Sequence, residues 1–139
     1  MSGKPFVDTN ILVYAHDRAV NPKNESARAL IDKLWNTGGG VLSTQVFQEL
    51  CFNLRRKATH PLSAEDTRIL IGNYLSWDIV VNTANSVLEA LMIEDRYQIS
   101  FWDALIIHAA ESSGASILYS EDLSDGQTYG SVRVVNPLN

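Results

Sequence analysis

The sequence predicts a three-layer α/β/α sandwich with a mainly parallel central sheet. Short apolar or β-branched runs, "FV", "VLS", "DIVVN", "SILYS" and "VRVVN", alternate with longer segments of helical periodicity. That alternation marks βαβ crossovers, which demand parallel strands covered on both faces. The 139 residues suffice to bury one core and are too few for a second independent one. Their 45% apolar content is that of a globular chain, without a low-complexity run, a linker or an internal repeat. One domain over residues 1–139 is expected.

The elements follow in order. "FV" before Asp8 reads as a buried strand and "ILVYA" as a short helical turn. "NPKNESARALIDKLW" sets Ala27, Leu30, Ile31 and Leu34 at the spacing of an amphipathic helix, which "TGGG" stops. After the strand "VLS", "TQVFQELCFNLRRKA" places Val46, Phe47, Leu50 and Leu54 on one helical face, and His60-Pro61 ends the element. "SAED" at 63–66 has the form of a capping box and leads a helix through about Ser76. The strand "DIVVN" precedes "TANSVLEALMIEDRYQ", whose core stripe is expected at Val87, Leu88, Leu91 and Met92. "SFWDALIIHAAESSGA" forms a further helix that Gly114 closes, and "SILYS" and "VRVVN" are the last strands.

Composition narrows the chemistry. Asp8 interrupts the first apolar residues, so the start lacks the apolar core of a signal peptide, and no run approaches the ~20 residues of a membrane helix. A cytoplasmic location is the resulting expectation. Cys51 is the only cysteine, which excludes an intramolecular disulfide and a multi-cysteine zinc site, and His16, His60 and His108 are widely scattered. The formal charge of -5 argues against a nucleic-acid partner until any bound cations are included, since divalent ions among the acids would offset most of it.

Four acids can meet at one edge of such a sheet. Asp8 ends the first strand, Glu49 lies in the second turn of the helix after "VLS", Asp103 lies in the first turn of its helix, and Asp122 follows "SILYS" closely. In open parallel sheets, function gathers at the carboxyl ends of the strands. Four carboxylates in a partly dry cleft repel one another unless cations bind between them, and an oxygen-only donor set suits Mg²⁺ or Mn²⁺. Each acid also has a plainer reading. Asp103 can close a capping box in "SFWD", Glu49 can be a solvated helix acid, and Asp122 can stabilise a turn. Asp8 is hardest to dismiss, because the strand end "VDTN" shows little local need for a charge.

"FVDTNILVY", "STQVFQEL", "SFWDALI" and "ILYSEDL" followed by "VVNP" together resemble the PIN-domain family, and within it the VapC-type toxins of toxin–antitoxin pairs. The four pieces occur in the family's order and span nearly the whole chain. The resemblance implies a metal-dependent ribonuclease that hydrolyses RNA phosphodiesters with Mg²⁺ or Mn²⁺. It carries over Asp8, Glu49 and Asp103 as catalytic and metal-binding acids, and Asp122 as the fourth, with Glu121 and Asp125 as competitors for that place. Asn10 and Ser120, and at lower rank Thr9, would orient carboxylates or water. A cognate antitoxin is implied, whose arginine inserted among the acids would neutralise them and displace metal. A homodimer is implied too, with Ile69, Leu70, Tyr74, Leu91 and Met92 as surface candidates.

"RRK" at Arg55, Arg56 and Lys57 is the only basic run; it reads equally as an RNA contact and as a solvated helix end favoured by the macrodipole. His108 is expected to be a packing variation and Cys51 a small buried hydrophobe. Phosphotransfer enzymes with an aspartyl nucleophile also place Asp after a first strand, but Asn10 stands at their second acid position and no Lys follows a late strand. A PIN fold that binds RNA or protein without cutting is the more serious alternative, and its filled acidic positions speak against it.

Overall fold

The computed structural model describes residues 3–138. In chain order the elements are β1 (Phe6–Val7), α1 (Thr9–His16), α2 (Pro22–Asn36), β2 (Val41–Ser43), α3 (Thr44–Arg56), α4 (Ala64–Tyr74) and β3 (Asp78–Val80). There follow α5 (Ala84–Tyr97), α6 (Phe101–Ser112), β4 (Ile117–Tyr119), β5 (Thr128–Tyr129) and β6 (Val132–Val135). The strands form one sheet in the order β3-β2-β1-β4-β6-β5. All neighbours run parallel except β5, which pairs antiparallel with β6. The chain is thus the expected mainly parallel sheet flanked by helices.

Strand order positions the site. Phe6 pairs with Val41 on one side and Leu118 on the other. From β1 the chain builds outward through β2 and β3, then returns to build the opposite half through β4 and β6. The crevice between the carboxyl ends of β1 and β4 is therefore the switch point, where loops diverge and leave room for a ligand. Asp8 follows β1 and Ser120 follows β4, while Thr44 opens α3 directly after β2.

The strands are short and buried. Phe6, Val7, Val41, Leu42 and Leu118 are fully inaccessible, and Ile11, Leu12, Leu50, Leu54 and Ile107 bring the helices onto them. Each such side chain contributes about 1.5–3 kcal/mol by leaving water. The α2 positions Ala27, Ile31 and Leu34 are buried as expected, with Leu30 packed against the same core. Two glycines are required by conformation. Gly39, at φ 85°, comes so close to the Trp77 ring that an added Cβ would lie 2.9 Å from Cδ1, and Gly114, at φ 81°, turns the chain out of α6.

Several expectations are corrected. The stripe Val87, Leu88, Leu91 and Met92 on α5 faces outward; Leu88 is 61% and Met92 68% exposed. The buried α5 positions are Ser86 and Ala90, with Ile93 and Tyr97 packed on the core. Small residues let α5 approach α6 closely, Ala90 meeting Ala104 and Leu105, so the inward face lies nearly opposite the bulkier one. β5 has no expected counterpart, being a two-residue edge strand with almost no periodicity. α1 runs from Thr9 to His16, longer than a single turn. Tyr74 is buried against Trp35 and Trp77 and is unavailable to a partner. Cys51 is only half-buried, facing the space between α3 and α4.

Candidate active site

Asp8 is 5% exposed and caps α1. Its Oδ1 accepts the Thr9 N–H at 2.7 Å and its Oδ2 accepts the Ser120 hydroxyl at 2.9 Å. The carboxylate thus has a local role at the helix start that the sequence did not reveal. Ser120 Oγ also accepts the Asp122 N–H at 3.2 Å, tying the loop after β4 to the end of β1. Burial pushes the Asp8 carboxyl up to about 7; the Ser120 and Thr9 hydrogen bonds oppose that rise, and the charges of Asp122 and Glu49 add to it.

Ser43, the last residue of β2, caps α3 by accepting the Val46 N–H, so Glu49 stays near that strand's carboxyl end. Glu49 Oε1 accepts the Thr9 hydroxyl at 2.7 Å. Gln45 Nε2, which donates to the Trp102 carbonyl at 3.2 Å, stands 3.5 Å from Glu49 Oε2. Ser100 caps α6 through the Asp103 N–H at 3.0 Å. This is half of the capping box expected of "SFWD": among the described residues no return bond ties up the Asp103 carboxylate. Asn10 Nδ2 donates to both oxygens of Asp122, at 2.9 and 3.1 Å. Burial raises the Asp122 pKa, and the charge of Asp103 raises it further.

Asp8, Glu49, Asp103 and Asp122 all line one cavity of about 90 Å³. Thr9 and Asn10 line it as well, joined by Asn53, Trp102 and Ile106. Ser120 stands behind it, fully buried. Of the three acids in "SEDLSDG", only Asp122 lines this cavity. Glu121 accepts from Tyr14 Oη and pairs with Lys23, and Asp125 accepts the Asn136 N–H.

The basic run divides. Lys57 lines a groove with Asn10, Val13, Tyr14 and Asn53, while Arg55 lines a different one between α3 and α4. Arg56 is exposed and lines neither. His108 belongs to a separate cavity with Tyr97, Glu111 and Tyr129. Asn53 and Trp102 were not anticipated. Helical spacing could have found Asn53, four residues after Glu49 on the same face, and Trp102 directly precedes Asp103.

The donor set is all oxygen and suits a hard divalent cation. The buried Asp8 carboxylate and the more exposed Asp122, which repel each other, are what such a cation would stabilise in the ionised form. Among the described residues no group of three or more His, Cys, Asp or Glu side chains is already arranged as a metal cage. The residues present fit the ion by chemistry, with the hydrogen bonds from Thr9, Ser120 and Asn10 leaving further lone pairs on each carboxylate.

With fold and acids described, the class is plain: this chain belongs to the PIN-domain family, which it matches over residues 6–124. Curated proteins offer no significant match in sequence. Solved structures do match in fold. A toxin–antitoxin complex from Klebsiella pneumoniae superposes with a TM-score of 0.69 at 16% identity, over 96% of this chain and 97% of that one. VapC20 of Mycobacterium tuberculosis, described as a sarcin-ricin loop cleaving toxin, gives 0.65 at 20%, over 85% and 89%. DNA-bound VapBC from Salmonella typhimurium gives 0.64 at 17%, over 96% and 97%.

Proposed function

We propose that this chain is a metal-dependent endoribonuclease and the toxin of a VapBC-type toxin–antitoxin pair, acting in the cytoplasm as one domain over residues 1–139. The observation that carries the reading is the convergence of Asp8, Glu49, Asp103 and Asp122, from four separate elements, on one small cavity at the switch point of the sheet. A scaffold has no use for such a costly arrangement of charge. Bound Mg²⁺ or Mn²⁺ would supply Lewis acidity toward the scissile phosphate and a more acidic water.

Asp8, Asp103 and Asp122 would hold the ion. Glu49 would complete that set or accept the proton of the attacking water, oriented by the Thr9 hydroxyl. Asn10 and Ser120 hold Asp122 and Asp8 in place and thereby position the ligands. No covalent intermediate with the protein is required. An antitoxin arginine entering the acid cavity would pair with the same carboxylates and exclude the cation. The outward α5 face, Val87, Leu88, Leu91 and Met92, supports a homodimer.

The test is cleavage of a mixed structured RNA pool with Mn²⁺ or Mg²⁺ and then with chelator, beside Asp8→Asn and Asp103→Asn variants of verified fold. Cutting that needs metal and falls at least about 100-fold in both variants is expected. Variants that cut like the parent would overturn the reading.

A further inference from the structure

We infer that the acid cavity is crossed by a track for single-stranded RNA, with Trp102 as a base-stacking platform on one side and Asn53 and Lys57 as a backbone-binding wall on the other. The inference rests on the ribonuclease reading and names how that site takes its substrate.

The Asn53–Lys57 side begins with α3. Glu49, Asn53 and Lys57 recur at intervals of four residues and so form one stripe along the helix. Glu49 lines the acid cavity, Asn53 lines both that cavity and a neighbouring groove of about 350 Å³, and Lys57 lines the groove alone. Asn10 is likewise shared, so the two spaces adjoin at a pair of amide side chains. The groove also exposes the side of Tyr14, and its chemistry changes from carboxylate to amide to ammonium with distance from the acids. That gradient suits a polyanion: the scissile phosphate goes where cations gather, and the next phosphate needs a protein cation. Lys57 makes no ion pair among the described residues; its ammonium lies 5.7 Å from the Phe52 ring. Lys23, close to Tyr14, is already engaged by Glu121.

The other side is Trp102. It lines the acid cavity yet is 62% exposed, an unusual state for the largest apolar side chain. Gln45 holds its backbone by donating to the Trp102 carbonyl at 3.2 Å, and Phe101 meets its ring edge-on at 5.2 Å between centroids. An exposed indole beside the acid cavity is a stacking surface for an unpaired base, whose π-face it can cover whatever the base's identity. A duplex keeps its bases stacked internally and cannot use it, so the track selects single strands or loops.

The test is binding and cleavage of a fluorescein-labelled oligoribonucleotide of about twelve nucleotides without secondary structure. Binding is read by anisotropy in chelator over a range of salt concentrations; cleavage is read with Mn²⁺. Trp102→Ala should weaken binding about 5- to 100-fold while Trp102→Phe retains most of it. Lys57→Gln should weaken it several-fold and reduce the slope of log affinity against log salt by roughly 0.7. Both should appear in cleavage as a raised KM with little change in kcat, and a hairpin duplex should compete poorly. Parent-like binding by both Trp102→Ala and Lys57→Gln, or a parent that binds no RNA because the groove serves a protein, would overturn the track. Weakened binding in the variants without any metal-dependent cutting in the parent would support the track and sink the nuclease reading; normal cutting with unchanged KM in the variants would do the reverse.

Discussion

Asp8 joins three demands in one carboxyl group: it caps α1, accepts from Ser120, and lies among other acids. Its folded pKa, raised from 3.8 to about 7, means that the fold holds this proton more tightly than the unfolded chain does. The associated stability is therefore complete below the unfolded value and is lost as pH rises through about 7. In metal-free protein, Asp8→Asn should be more stable than the parent at pH 8 by roughly 1–4 kcal/mol, with the gap narrowing toward pH 5. Denaturant melts at both pH values check this, and a variant no more stable than the parent at pH 8 would count against it. Ser120→Ala acts oppositely, removing a donor from Asp8 and an acceptor from Asp122, and should cost about 1–3 kcal/mol in the same melts.

At the scale of elements, helix α5 shows how packing distance overrides bulk. Ala90 is fully buried where α5 meets α6, so Ala90→Leu should overpack the joint and destabilise by about 1–3 kcal/mol. Leu88→Ser, on the outward face, should change stability by less than about 0.5 kcal/mol in dilute protein. Equal effects of the two substitutions would mean that the helix is turned otherwise. The α2–β2 connection offers a second comparison. Gly39→Ala meets both a left-handed φ and the Trp77 ring, whereas Gly38→Ala, at φ 104°, meets no atom within 4 Å. Thermal melts should therefore show the larger loss at Gly39, by about 1–2 kcal/mol over Gly38.

For the molecule as a whole, the exposed α5 stripe predicts association. Sedimentation at micromolar concentration should show a dimer for the parent and a monomer for a Leu88→Ser, Met92→Ser double variant, with helical content unchanged. A parent that stays monomeric would leave the stripe to another partner. The net charge of -5 is likewise a property of the whole, and Mn²⁺ should raise the thermal midpoint of the parent more than that of Asp8→Asn, because only the former has the full acid set to bind it. Among the described residues no helix is long and apolar enough to cross a membrane.

Alternation of period, the caps at Ser63 and Ser100, the placement of Asp8 and Glu49 near strand ends and that of Asp103 in the first turn of its helix were all legible in the linear sequence. Such features depend on spacing along one segment, where the helical and extended repeats set which residues are neighbours. Tertiary structure alone decided the rest. Asp122 rather than Glu121 or Asp125 faces the cavity because Tyr14, Lys23 and Asn136 engage the other two across large sequence separations. The inward face of α5 is Ser86 and Ala90 because α6 comes too close for leucine, and Lys57 shares a groove with Asn53, which also lines the acid cavity, because α1 and α3 leave that groove between them. Local spacing can be read from one segment, but the identity of a residue's neighbours is settled only when separate segments compete for the same space.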